Sequence, residues 1–179
     1  PQTNAPAGVA GHAIAVRADG SMVMFGGVQS GGLLPATFTS QNNVWTPRVS
    51  VLNPALRSEA ALAFDGTRND TLLFGGVDQV GNPLGDTWTF GNDQWNYRPL
   101  TASPSARRGH AMAFDAQRGV VVMFGGAGTS QALLGDTWTW NGVAWQQQAP
   151  ANSPSARTEH GMAFDVFRQR VVLFGGEAQ

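Results

Sequence analysis

The chain of 179 residues contains no cysteine and no lysine, a single tyrosine (Tyr97), and few charges of either sign. Without cysteine there are no disulfides, thiolate nucleophiles, iron–sulfur clusters or cysteine-ligated zinc. Without lysine there is no Schiff-base chemistry and no phosphate-loop lysine. Charged residues make up 13%, eleven arginines against twelve Asp and Glu, for a formal net charge of −1. That balance lacks the broad basic face of a nucleic-acid binder, and no nucleic-acid partner is expected. No run of about 18 apolar residues occurs, so no spanning helix and no membrane partner are expected. The start, Pro1-Gln2-Thr3-Asn4-Ala5-Pro6-Ala7-Gly8, has neither an initiator methionine nor a charged and apolar leader, as in a mature or excised piece. Abundant instead are 23 Gly, 10 Pro, 10 Phe and 6 Trp within a 42% hydrophobic composition, which suits a turn-rich β protein better than a helical bundle.

The chain repeats. Phe-Gly-Gly recurs at Phe25, Phe74, Phe124 and Phe174, spaced by 49, 50 and 50 residues. The same beat carries Trp45, Trp95 and Trp145, then Phe64, Phe114 and Phe164, then Asp65, Asp115 and Asp165, then Arg57, Arg107 and Arg157. Asp86-Thr-Trp-Thr-Phe90 is matched by Asp136-Thr-Trp-Thr-Trp140 and weakly by Ala36-Thr-Phe-Thr-Ser40. Such periods mark repeat architectures.

Within a repeat the residues predict four short strands. In the third, His110–Phe114 is followed by a turn at Asp115–Gly119 and by the apolar, β-branched Val120–Phe124. Gly125-Gly126 ends that strand. Thr137–Trp140 alternates polar and aromatic residues, Asn141-Gly142 is a type I′ hairpin signal, and Trp145–Gln148 completes the set. Four antiparallel strands per unit indicate a β-propeller blade, and the small Ala61, Ala63, Ala111, Ala113, Gly161 and Ala163 suit innermost strands crowded at an axis. Repeats at about 8–49, 55–99, 105–149 and 155–179 within a single domain, 1–179, amount to about three and a half blades. The expected fold class is therefore all-β, a partial propeller or one completed by self-association, since open strand edges invite further pairing.

The Gly-Gly doublet after an apolar strand, the aromatic third strand, the fourth-strand Trp, and the Arg-x-Gly/Glu-His-x-Met-Ala-Phe-Asp run resemble Kelch repeats. The version is similar to bacterial proteins related to the central domain of galactose oxidase. The shorter WD-type repeat is disfavoured by its period and by the absence of Trp-Asp. The resemblance implies a propeller over residues 8–179 and an extracytoplasmic or secreted location. It implies less about function, because such folds host binders and enzymes alike. A copper-radical oxidase site needs a cysteine joined to tyrosine, which this chain cannot supply, and no Gly-x-Ser-x-Gly or His-Glu-x-x-His occurs. No cofactor and no metal site are expected.

Residues recurring in every unit are expected to serve the blade. His12, His110 and His160 share one position and are read as packing residues; Asp86 and Asp136 are read as bonding a turn backbone. Arg57, Arg107 and Arg157 stand just before innermost strands, on the face that carries the blade-to-blade links. The Kelch resemblance puts partners there, and guanidinium forks suit carboxylates. The candidate ligand-binding residues are thus Arg57, Arg107 and Arg157, with Arg108, Glu59 and Glu159 on the same rim. A competing reading has each arginine tying blades together. The expected function is a non-catalytic binding or scaffold module for an acidic peptide, protein, glycan or small anion. The alternative is a fragment of a larger, carbohydrate-active enzyme with its catalytic residues elsewhere.

Overall fold

The structure, a computed structural model, describes Pro6 and residues 8–178. The leader reading at residues 1–5 and 7 lies outside these. Three four-stranded antiparallel sheets follow one another, each running in chain order from the axis outward. Blade I comprises Ala13–Val16, Met22–Phe25, Thr37–Gln41 and Val44–Arg48. Blade II comprises Ala61–Asp65, Asp70–Phe74, Thr87–Gly91 and Gln94–Arg98. Blade III comprises Ala111–Asp115, Val120–Phe124, Thr137–Trp140 and Trp145–Gln148. Blade IV consists of two strands, Gly161–Asp165 and Arg170–Phe174. Short two-residue pairings, Val28–Gln29 with Gly32–Leu33 and Arg157–Thr158 with Glu177–Ala178, and a 3-10 turn at Thr129–Gln131 decorate the loops. The all-β expectation of three and a half propeller blades is met.

The blades pack face to face because each strand sends alternate side chains to opposite neighbours. Between blades I and II, Ala13, Ala15, Val23 and Phe25 meet Leu62, Leu73, Phe90 and Trp95. Between blades II and III, Ala61, Ala63, Leu72 and Phe74 meet Met112, Val121, Met123, Trp140 and Trp145. A sheet covered on both faces needs nearly continuous apolar strands, which explains Val120-Val-Val-Met-Phe124. The outer tryptophan is the bolt of each interface. Trp95 meets the edge of Phe25 with ring centroids 5.1 Å apart and donates its indole N–H to Thr37 Oγ1 at 2.8 Å. Trp145 repeats this on Phe74, at 5.3 Å, and on Thr87 Oγ1, at 3.0 Å.

Turns repeat as well. Asp65, Asp115 and Asp165 each accept two backbone N–H groups of the following turn with one carboxylate oxygen and bind the arginine three residues on with the other. One turn departs from its expected type. A type I′ hairpin needs positive φ at both central residues, which Asn42-Asn43 and Asn92-Asp93 have. At Asn141-Gly142 only the glycine does. There the loop spans four residues between Trp140 and Trp145, and Asn141 Oδ1 holds it by accepting the N–H groups of Val143 and Ala144. Gly142 sits at φ +94°, a backbone conformation that favours glycine, and the Arg68 side chain packs where its Cβ would stand.

Candidate functional site

Arg57 and Arg107 do not face solvent. Both side chains are completely buried. Arg107 uses all five of its N–H donors: Nε to Ser105 O, Nη1 to Gly125 O and Asp136 Oδ1, Nη2 to Asp136 Oδ2 and Ser105 Oγ. Arg57 repeats the pattern with Ala55 O, Gly75 O and both oxygens of Asp86, at 2.5 and 2.7 Å. The same carboxylates take the indole N–H of Trp88 and Trp138. Asp86 and Asp136 are therefore arginine and indole partners rather than turn-backbone acceptors. Burial raises the pKa of both carboxyls, but the arginine bonds and charge, with the indole bond, prevail and hold them below the usual carboxylate range. The expectation that Arg57 and Arg107 bind a ligand is corrected on this ground: neither presents a free group to the surface. Their side chains pin the loops of their own blade, while their backbone carbonyls accept Gly27 N–H and Gly76 N–H of the preceding blade.

Arg157 occupies the same place in blade IV with a different surrounding. It is only partly buried. It bonds Ser155 O, Gly175 O and Ser155 Oγ, and no carboxylate among the described residues pairs with it.

The other rim candidates do gather at the axis. Gly11, Glu59, Gly109 and Glu159 occupy equivalent positions, all with φ between 55° and 64°. Glu59 N donates to Gly11 O, Gly109 N to Glu59 O and Glu159 N to Gly109 O, at 2.8, 3.0 and 2.7 Å. One chain of backbone hydrogen bonds thus links the four blades around the channel. It frames a cleft of about 380 Å³ lined by Gly11, His12, Glu59, Ala60, Gly109, His110, Glu159 and His160. Arg108 bonds Glu59 Oε2 through Nη1 and Gln131 Oε1 through Nη2. A second cleft, about 330 Å³, adjoins the first between Arg108, Gln131, Glu159 and Glu177.

Beneath the first cleft, His110 and His160 are buried and lie edge-on to Phe74 and Phe124. Neither ring makes a hydrogen bond of good geometry. Burial, followed by the charges of Arg107 and His160, pushes the His110 pKa down to about 3, and the Phe74 backbone offsets this only in part. Burial and the Arg157 charge lower His160 too. Both imidazoles are neutral at pH 7 and add no positive charge to the cleft. Among the described residues no group of three or more metal-ligating side chains converges.

The buried pair had a signal in the sequence. Where Arg57 and Arg107 recur, Asp86 and Asp136 recur 29 residues later; at the matching places of the first repeat stand Val9 and Ala36. Two residues that come and go together across repeats are candidates for contact.

A family description of Kelch repeats, the KLHDC2/KLHL20/DRC7 Kelch-repeats domain, matches residues 1–176. Among solved structures, one titled "Structure of YjhT" superposes with a TM-score of 0.73 at 14% identity, covering 94% of this chain and 59% of the YjhT chain. The chain thus spans less than two thirds of that protein's length, and the likeness is one of fold. Comparison with curated proteins gives no match.

Proposed function

Because the chain belongs to the KLHDC2/KLHL20/DRC7 Kelch-repeats domain family, whose repeats form binding or scaffold modules, we propose that it is a non-catalytic binding module seating its partner on the axial face. The observation that carries this is the cleft framed by the chain of backbone hydrogen bonds through Gly11, Glu59, Gly109 and Glu159. A hydrogen-bonded frame there presents Glu59 and Glu159 around a concavity, with Arg108 lining the adjoining cleft and glycines between the glutamates that leave backbone within reach. Rigid presentation of a few charged groups is what selective binding needs.

The charge of the mouth decides the ligand class. With Arg57 and Arg107 neutralised inside their blades, the carboxylates and guanidinium that line the two clefts among the described residues are Glu59, Glu159 and Glu177 against Arg108. The balance is acidic, opposite to the expectation of an arginine-lined face. A peptide bearing Lys or Arg side chains fits it better than an acidic one. Fluorescence anisotropy with labelled Lys/Arg-rich, neutral and Asp/Glu-rich peptides tests this. The basic peptides should bind most tightly and weaken with salt, and Glu59→Gln with Glu159→Gln should lower affinity about tenfold, on the scale of one or two lost charge-assisted bonds. Preferential binding of the acidic peptides, or an unchanged affinity in the double variant, refutes the assignment.

A further inference from the structure

Blade I breaks the repeat in its first turn. Counted from the equivalent pairs Ala13↔Phe25 and Ala61↔Phe74, Arg17 stands where blades II, III and IV have Asp65, Asp115 and Asp165. The exchange alters one corner between neighbouring blades, at the opposite end of the innermost strands from the axial cleft. Between blades II and III that corner is filled by Arg68, whose Nη1 bonds Asp65 Oδ2 and Gly119 O and whose side chain packs against Gly142. A space of only about 40 Å³ is left there. Asn69 and Asn92 take the places of Gly119 and Gly142 between blades I and II. The turn of blade I, Ala18-Asp19-Gly20, supplies no arginine to fill this second corner. It is open, a cleft of about 470 Å³ whose wall includes Arg17, Asp19, Asn69, Asn92 and Asp93.

Arg17 is half-buried, and its guanidinium lies 5.5 Å from the centre of the Phe90 ring. That contact holds the cation in place without using its hydrogen bonds. None of its five side-chain N–H donors meets an acceptor among the described residues. The two carboxylates of the wall are engaged elsewhere: Asp19 Oδ1 accepts Ser21 N–H at 2.9 Å, and Asp93 lies 3.4 Å from Arg48 Nη1. We infer that this corner binds a small zwitterion of the amino-acid class, its carboxylate on Arg17 and its ammonium on the Asp19 side of the cleft. The guanidinium fork takes a carboxylate through two parallel bonds. Two carboxylates on the same wall oppose a dianion such as phosphate and favour a ligand whose negative group has a positive donor beside it. The volume is that of a small-molecule site. This site is distinct from the axial cleft, and neither proposal depends on the other.

The probes are L-alanine; L-lactate, in which a hydroxyl replaces the ammonium; isopropylamine, which lacks the carboxylate; and inorganic phosphate. Heteronuclear NMR of the full chain follows the Arg17 side-chain N–H and the backbone amides of Gly91 and Asn92 through each titration. Alanine should shift these signals saturably, with a dissociation constant of about 10 mM or tighter, the range of a small ligand held by few contacts. Lactate should bind at least about threefold more weakly, and isopropylamine and phosphate at least about tenfold, the scale of one lost charged hydrogen-bonded pair. Arg17→Met should abolish saturation, and Asp19→Asn should bring alanine down to the affinity of lactate while leaving lactate unchanged. Circular dichroism checks that both variants are folded, and the comparison of the four probes on the unaltered chain needs neither. Three results overturn the inference: no saturable shift with alanine up to about 100 mM, where even weak recognition registers; lactate or phosphate binding as tightly as alanine; or alanine shifts that persist in a folded Arg17→Met chain.

Discussion

Removing the Asp136 carboxylate should cost far more stability than removing the Arg157 guanidinium, although both belong to the same repeat motif. Arg107 is a fully buried cation whose charge is balanced by one carboxylate accepting two of its five donated bonds. Asp136→Ala leaves that cation with only two carbonyls and a hydroxyl. Breaking one side of a buried pair costs about 3–5 kcal/mol. The Asp136 side chain is 23% exposed, so water can enter the vacated space, which places the expectation near about 3 kcal/mol, the lower end of that range. With a urea m-value of about 2 kcal/mol/M, the midpoint should fall by roughly 1.5 M. Arg157→Ala removes a partly exposed group that pairs with no carboxylate among the described residues and should cost about 1 kcal/mol or less. The assay is urea unfolding followed by circular dichroism and tryptophan fluorescence together, whose coincidence tests cooperativity. Replacing the whole pair, Arg107→Met with Asp136→Leu, should recover most of the loss, because the large penalty belongs to the unpaired charge. Equal costs for Asp136→Ala and Arg157→Ala, or a double replacement as damaging as the single, would refute the reasoning.

The repeats supply further paired tests. A Cβ on Gly75 would lie 2.5 Å from Arg107 O, at φ +65°, whereas one on Gly175, at φ +73°, meets nothing within 4 Å; Gly75→Ala should prevent folding, seen as loss of the circular dichroism signal, and Gly175→Ala should cost only the left-handed backbone penalty of about 1 kcal/mol. His110, with its folded pKa lowered from 6.5 to about 3, leaves the unfolded chain binding more protons between those values. Stability should therefore rise as pH rises from about 3 to about 6.5 and level off above. Between pH 5 and 6.5 the carboxylates stay ionised, so the slope there belongs to His110 and His160, and His110→Leu should flatten it in urea midpoints measured across that window. An unchanged slope counts against the buried neutral imidazole.

Spacing made the blades legible because a propeller imposes one geometry on every unit: Phe-Gly-Gly, the outer Trp and the small innermost residues each answer a packing demand that recurs. Spacing could not say which way a recurring side chain points. Arg57, Arg107 and Arg157 look alike in the sequence, yet two are sealed against Asp86 and Asp136 and the third is half-open. What seals the two is an aspartate 29 residues on in the same repeat, a property of the partner position rather than of the arginine. Glu59 and Glu159 are the converse case. They break the pattern beside Gly11 and Gly109, and the left-handed backbone that the four positions share turns both carboxylates toward the axis. In a repeat protein the framework is thus read from what recurs, and the charge open to a ligand from what fails to recur or recurs without its partner.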